Sequence, residues 1–423
     1  MNEVPIGRIA AVEFSTVDKK SAEDETPVRL CNYTDVYYNS VVSEDLDFMN
    51  ATATTEEIRR FTLRAGDVLV TKDSETPDDI AVAALVDNDL PGVLCGYHLA
   101  IIRPNKSKVD PRYLFWALNG LSVREQAAAA ATGVTRFGLR EDALRRLRVW
   151  LPSLKDQHVI AGLLDTETAR IDALIEKKRR MVSLLRDAMQ ARTDELVLGL
   201  SVDSSDPSPS GFFPRVPSHW LETQIRHVGV DVQTGPFGSQ LHADEYVEGG
   251  WPVVNPANLV AGRIVPISSM TISDDKRAEL SRHILRRADI VFGRRGEMGR
   301  VGLVTEAEAG WICGTGSLRL RLSAAHFSPG YLKLLIESAP SRAYLQTGSI
   351  GSTMDNLNED VVRSMPVLVP PLDEQSEIVK QVSVLRERIA ALTALLERQI
   401  ALLQEHRQAL ITAAVTGELE IAA

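Results

Sequence analysis

The stretch Val369-Pro370-Pro371-Leu372-Asp373-Glu374-Gln375 opens a run without glycine or proline that closes on Thr412-Ala413-Ala414-Val415-Thr416-Gly417. Within it, apolar residues recur at Ile378, Val382, Leu385, Ile389, Leu392, Leu396, Leu403 and Leu410. Steps of four and three in alternation mark the seam of a coiled coil. Only Gln399 and His406 interrupt it, and polar residues at such positions set register or partner choice at some cost in stability. At about 1.5 Å per residue the run makes a rod of up to roughly 65 Å, a spacer rather than part of a compact core.

The rod has a counterpart. Cys313-Gly314 lies 218 positions after Cys95-Gly96. The same shift carries Pro111, Tyr113 and Leu114 onto Pro329, Tyr331 and Leu332, and Gly133, Thr135 and Leu139 onto Gly351, Thr353 and Leu357. It also carries Pro152, Leu154 and Gln157 onto Pro370, Leu372 and Gln375. The chain reads as a tandem duplication in which each copy ends in a long helix. The first helix is expected from about Asp156 to Leu198, with Ile160, Leu164, Ile171, Leu174, Met181, Leu185 and Ala188 on one side. Its seam is less pure, since Glu167 and Lys178 stand where the second helix has Leu385 and Leu396. Each helix is expected to pair with the other, through Ile171, Leu174 and Leu185 on one and Ile389, Leu392, Leu396 and Leu403 on the other. The alternative is that each packs only on its own domain.

Ser201 to Pro217 has the Ser, Pro and Gly content of an exposed linker. Before each helix the pattern is mixed α and β. Val68–Val70, Ile290–Phe292, Leu99–Ile102 and Leu318–Leu322 read as strands, and Pro111–Asn119 and Pro329–Glu337 as helices with proline in the first turn.

The 423 residues exceed one ordinary core, and 44% hydrophobic with 25% charged residues is a soluble, folded composition. Apolar runs fall far short of the roughly 18 residues a membrane helix needs, and Met1–Ile6 lacks a signal-peptide pattern, which places the chain in the cytoplasm. Three cysteines without C-x-x-C spacing exclude a disulfide framework and make a zinc site improbable. A net charge of −10 argues against nucleic-acid binding unless local surfaces or partners supply positive charge.

Three loop pairs stand out. Thr71–Glu75, with Lys72 and Ser74, corresponds to Gly293–Gly299, whose Arg294 and Arg295 suit phosphate or guanine contacts. Tyr97-His98 corresponds to Thr315-Gly316-Ser317, and Gly133–Gly138, with Thr135 and Arg136, to Gly351–Asn356, with Ser352 and Thr353. The frame is constant and the tips vary, as in two related heads reading different targets; ordinary divergence between duplicates gives the same pattern. Copy two adds Phe237 and Ser239 in a glycine turn and Asn255 after Pro252. Burial is the default expectation for Phe237. A phosphate loop, an H-E-x-x-H motif and the D/N-P-P-[YF] of adenine methyltransferases are all missing from the sequence. The residues read as a binder, with no catalytic residue, metal or cofactor expected.

The segments Gly66–Glu75, Pro91–Leu99 and Asp289–Gly296, both Pro-x-Leu helix starts with their glutamines, and the ending Ala413–Leu419 together resemble the specificity (S) subunit of Type I restriction-modification systems. That resemblance implies an α+β fold: two α/β target-recognition domains separated by two long helices in an antiparallel coiled coil, arranged as a pseudo-twofold tandem duplication. The expected division is 1–152 for the first recognition domain, 153–200 for a central spacer, 201–217 for a linker, 218–370 for the second recognition domain and 371–423 for a C-terminal spacer. The resemblance further implies a non-catalytic subunit that reads an asymmetric, bipartite site in double-stranded DNA. Its implied partners are two methyltransferase (M) subunits docked on the helices and restriction (R) subunits reached through them. The competing reading is a coiled-coil scaffold that never touches DNA.

Overall fold

The computed structural model describes residues 3–237, 240–294, 299–323, 327–349 and 357–419. Two compact units are present, Met1–Arg180 with Leu396–Ala423, and Met181–Leu395. Each is therefore built from one head and segments of both long helices, Leu154–Val197 and Leu372–Thr416. Among the described residues no helix is long and apolar enough to cross a membrane.

In the first unit a five-stranded sheet has the order Ala10–Phe14, Leu99–Pro104, Val68–Thr71, Ala83–Val86, Val41–Val42. Its two central strands are apolar at every inner position because both faces are covered. Val68, Val70, Ala100 and Ile102 enter one core, while Leu69, Leu99 and Ile101 enter the other. The second unit repeats the order with Val230–Thr234, Ser317–Leu322, Ile290–Gly293 and Val301–Leu303. Each head adds a parallel strand pair, with Cys95 beside Cys31 and Cys313 beside Val254.

The duplication extends to single bonds. In each copy an acidic residue just before the central strand caps a turn and holds an arginine of the neighbouring strand. Asp67 accepts from the Arg64 N–H and pairs with Arg103; Asp289 accepts from the Arg286 N–H and pairs with Arg321. The glutamine near each helix start is buried and accepts an N–H, from Asp110 to Gln157 and from Ser328 to Gln375, while donating to the Pro152 or Pro370 carbonyl.

Each core is completed by both helices. Head one packs on Ile160, Ala161 and Leu164 from the start of its own helix and on Ile411, Ala414 and Val415 from the end of the other. Head two packs on Ile378 and Val382 and on Val197 and Leu198. The alternative of a helix packed only on its own domain is thereby set aside. In the first unit Lys178 Nζ donates to Gln399 Oε1 at 2.6 Å, and Arg407 Nε lies 2.9 Å from Asp172 Oδ1 at an angle unsuited to a hydrogen bond, an electrostatic contact. As one number falls the other rises, so the segments run antiparallel. Lys178 and Gln399, the polar breaks of the two seams, answer each other.

The seam runs one residue away from two of the expected positions. Leu174 is 41% exposed and Ile175 5%; Leu392 is exposed, and Thr393 is half-buried in its place. Ile171 and Leu396 are buried, and Leu185, Ile389 and Leu403 half-buried. Leu174-Ile175 and Met181-Val182 are adjacent apolar pairs, so spacing alone allows either frame; the Lys178–Gln399 bond and the docked heads select the second. The stretch read as an exposed linker also contributes to packing, since Phe213 lies in the core of head two.

Ile411→Ala should cost about 2–5 kcal/mol. Hydrogen exchange should show the loss in head one, at residues 111–150, although the substitution lies near the other end of the chain, with the strands of head two protected as before.

Candidate nucleic-acid interface

The central strand of each head ends at the same clamp. Past Thr71, the Lys72 N–H donates to the His98 carbonyl at 3.1 Å and the Lys72 carbonyl accepts from Leu139 at 2.8 Å. Past Gly293, the Arg294 N–H donates to Gly316 at 2.9 Å and its carbonyl accepts from Leu357 at 3.1 Å. These four partners are themselves related by the 218-residue shift. In head one the clamp draws the three loops singled out from sequence to one end of the sheet. The clamp is reinforced there by a small ribbon in which Asp73-Ser74 pairs with Phe137-Gly138, and that strand with Thr132-Gly133.

Asp73 organises the head-one cluster. Its Oδ2 lies 2.8 Å from His98 Nδ1, and its Oδ1 accepts from Arg136 Nη2 at 2.7 Å. Lys72 Nζ sits 4.1 Å from the Tyr97 ring centre and 5.1 Å from that of Phe14, and donates to the Ser15 carbonyl. Burial holds the Lys72 ammonium below its ordinary pKa, opposed by the Asp73 carboxylate. Tyr97, Thr135 and Arg136 remain exposed at the rim.

Ser74 does not share that exposure. It is 5% exposed, and its Oγ accepts from the Thr76 N–H, so it supports the loop from within. Asn255 is similarly engaged: its Oδ1 accepts the Gly316 N–H at 3.3 Å, closing the turn below Arg294. Arg294 Nε donates to the Leu357 carbonyl at 2.9 Å. Phe237, expected inside, is 69% exposed; Gln240 bonds both the N–H and the carbonyl of Phe237, which closes a turn and presents the ring. Ser239, Arg295, Ser352 and Thr353 lie outside the described residues.

Sequence reading missed a row of tyrosines. Tyr33 and Tyr37, four apart on a short helix, stack at 5.3 Å, and Tyr38 meets Tyr37 edge-on at 5.0 Å. With Asp73, Glu75, Asp79 and Arg136 they line a cleft of about 480 Å³. Tyr37 donates to Asp79 at 2.6 Å, and that bond pushes its pKa up to about 12. The i, i+4 spacing directly after the Asn32 cap was the available signal. The cleft offers carboxylate acceptors, guanidinium and phenol donors and aromatic faces, the vocabulary of base-edge contact. It is not a basic channel for phosphates. Among the described residues no His, Cys, Asp or Glu cluster could hold a metal ion.

Comparison with known proteins gives the class. Residues 231–401 match the family described as Type I restriction modification DNA specificity domain. The chain is 22% identical to the EcoBI specificity subunit of Escherichia coli over 75% of this chain and 68% of that one. It is 24% identical to the StySPI specificity subunit of Salmonella potsdam over 78% and 68%. Among solved structures, a chain of a type I R-M system studied for complex assembly and conformational transition superposes with a TM-score of 0.69 at 18% identity, covering 99% and 98%. The HsdS subunit of Thermoanaerobacter tengcongensis gives 0.52 at 20%, covering 99% and 97%. The resemblance drawn from the sequence stands, and the fold is that of these specificity subunits.

Asp73→Ala should untie two loops at once. Hydrogen exchange at residues 132–138 should accelerate by roughly tenfold, the loss of a charged hydrogen bond at a half-exposed site, with circular dichroism unchanged.

Proposed function

We propose that this chain is the DNA-reading subunit of a Type I restriction-modification complex, acting in the cytoplasm without catalysis of its own. Residues 1–152 read one half of an interrupted site in double-stranded DNA and residues 218–370 the other. The observation that carries the reading is the shared clamp at Lys72 and Arg294, beyond which the loops differ in length and chemistry. A common frame with unlike tips suits an asymmetric target. Head one offers acceptors around Asp73 and Glu75, whereas head two offers Arg294 and the exposed Phe237.

The helices serve as spacer and as docking surface for two M subunits, through which R subunits are reached. Outside the seam, Leu174, Met181 and Leu184 on one helix and Val384, Leu392, Leu395 and Leu402 on the other remain exposed. Exposed apolar side chains in this number on the two helices support partner binding. M subunits also supply phosphate contacts, which lets an acidic chain bind DNA. The net charge of −10 favours the scaffold reading, in which DNA is never touched.

Mapping of methylated sites decides between them. Thr135→Ala combined with Arg136→Ala, assayed with the M subunit, should relax base preference in one half-site by about 1–3 kcal/mol and leave the other half-site as it was. A complex that methylates without sequence preference before and after the change would support the scaffold.

A further inference from the structure

A second cleft, of about 540 Å³, lies in the second unit where head two meets the start of the second long helix. Its walls include Arg263, Thr305, Lys333, Ser383 and Arg386. Lys333 is only 7% exposed, and its Nζ donates to Glu337 Oε1 at 2.8 Å; Arg386 Nη2 donates to the other oxygen, Oε2, at 2.7 Å. One carboxylate is thus shared by two cations. The tip of the hairpin formed by Leu259-Val260 and Arg263-Ile264 presses on the same group. At Gly262, with φ of +76°, a Cβ would stand 2.7 Å from Lys333 Nζ and 2.8 Å from Glu337 Oε1. The acid in the cleft wall, Glu308, is turned to its own loop, where Oε2 accepts the Thr305 N–H and hydroxyl. Among the described residues Arg263 has no acidic partner.

Three cations therefore line the cleft with one carboxylate, Glu308, which is engaged by its own loop, while Glu337 is already bonded to Lys333 and Arg386, in a chain whose net charge is −10. Burial holds the Lys333 ammonium below its usual pKa, and the neighbouring Arg386 adds to that effect against Glu337. An arriving anion relieves this arrangement. Guanidinium groups flanking an ammonium, with the Ser383 hydroxyl beside them, match the oxygens of a phosphoryl group better than a single carboxylate. The volume falls within that of small-molecule sites. Copy one has no such chemistry, because the 218-residue shift places Phe115, Asn119 and Thr168 at Lys333, Glu337 and Arg386. Phe115 is buried in the core, and the Thr168 hydroxyl is bonded to the Leu164 carbonyl of its own helix.

We propose that this cleft is a binding site for a phosphorylated small molecule, held by Arg263, Lys333 and Arg386 at the junction of head two with the second long helix. The site is separate from the DNA-reading loops and does not depend on the function proposed for them.

Titration calorimetry of the full-length chain with sodium pyrophosphate as probe tests it. Saturable binding with Kd below about 1 mM is expected. Arg263→Gln, at an exposed hairpin position that leaves the core untouched, should weaken binding at least about tenfold, as should Arg386→Gln. No saturable heat with the unaltered chain, or unchanged affinity in Arg263→Gln, overturns the proposal.

Discussion

The core of head one is closed by the far end of the chain. Ile411, Ala414 and Val415 fill space beside Ile160 and Leu164, and Gly120 is small because a Cβ there would stand 2.6 Å from Val415 Cγ2. Head two is closed in the same way by Val197 and Leu198, with the Tyr331 hydroxyl donating to the Val197 carbonyl. A helix that leaves one head and completes the core of the other can do so only if the two helices run in opposite directions. Antiparallel pairing therefore follows from hydrophobic burial at the helix ends, and the seam between them is secondary. The seam tolerates Lys178 and Gln399 because each satisfies the other.

Much of this was legible in the sequence. The duplication is carried by residues whose roles recur bond for bond, such as Gln157 with Gln375 and Asp67 with Asp289. The long helices, central strands and proline-started helices lie where periodicity put them. The seam frame was not legible at Leu174-Ile175 or Met181-Val182, since adjacent apolar residues satisfy two frames and the choice is made by tertiary bonds. Loop chemistry was harder still. Ser74 and Asn255 look like free polar side chains, yet Ser74 closes its own turn and Asn255 the turn at Gly316, whereas Phe237 looks like core and is presented to solvent. Exposure at a turn depends on backbone bonds that no spacing rule encodes. The tyrosine row was visible as an i, i+4 pair but had no counterpart in copy two to draw attention to it.

The copies share backbone and diverge in side chains, and the divergence reaches below the loops. Where head one has Ile101 in a core, head two has Arg319, buried and paired with Asp231; where head one has Phe115, head two has Lys333. Replacing apolar residues by buried cations costs desolvation that the pairs must offset, so these sites are weak evidence for stability and point toward function or specificity. Two heads on one architecture can in this way present different chemistry.

The central claim is that the paired helices fix the distance between two independent readers. Because each unit contains segments of both helices, a heptad inserted in one helix alone would shift the pairing. A seven-residue insertion after Arg180 matched by another after Leu395 preserves the seam and adds about 10 Å, close to three base pairs. Methylation mapping with the M subunit present should then find both half-sequences unchanged and the gap between them longer by about three base pairs. An unchanged gap, or altered half-sequences, would contradict the account.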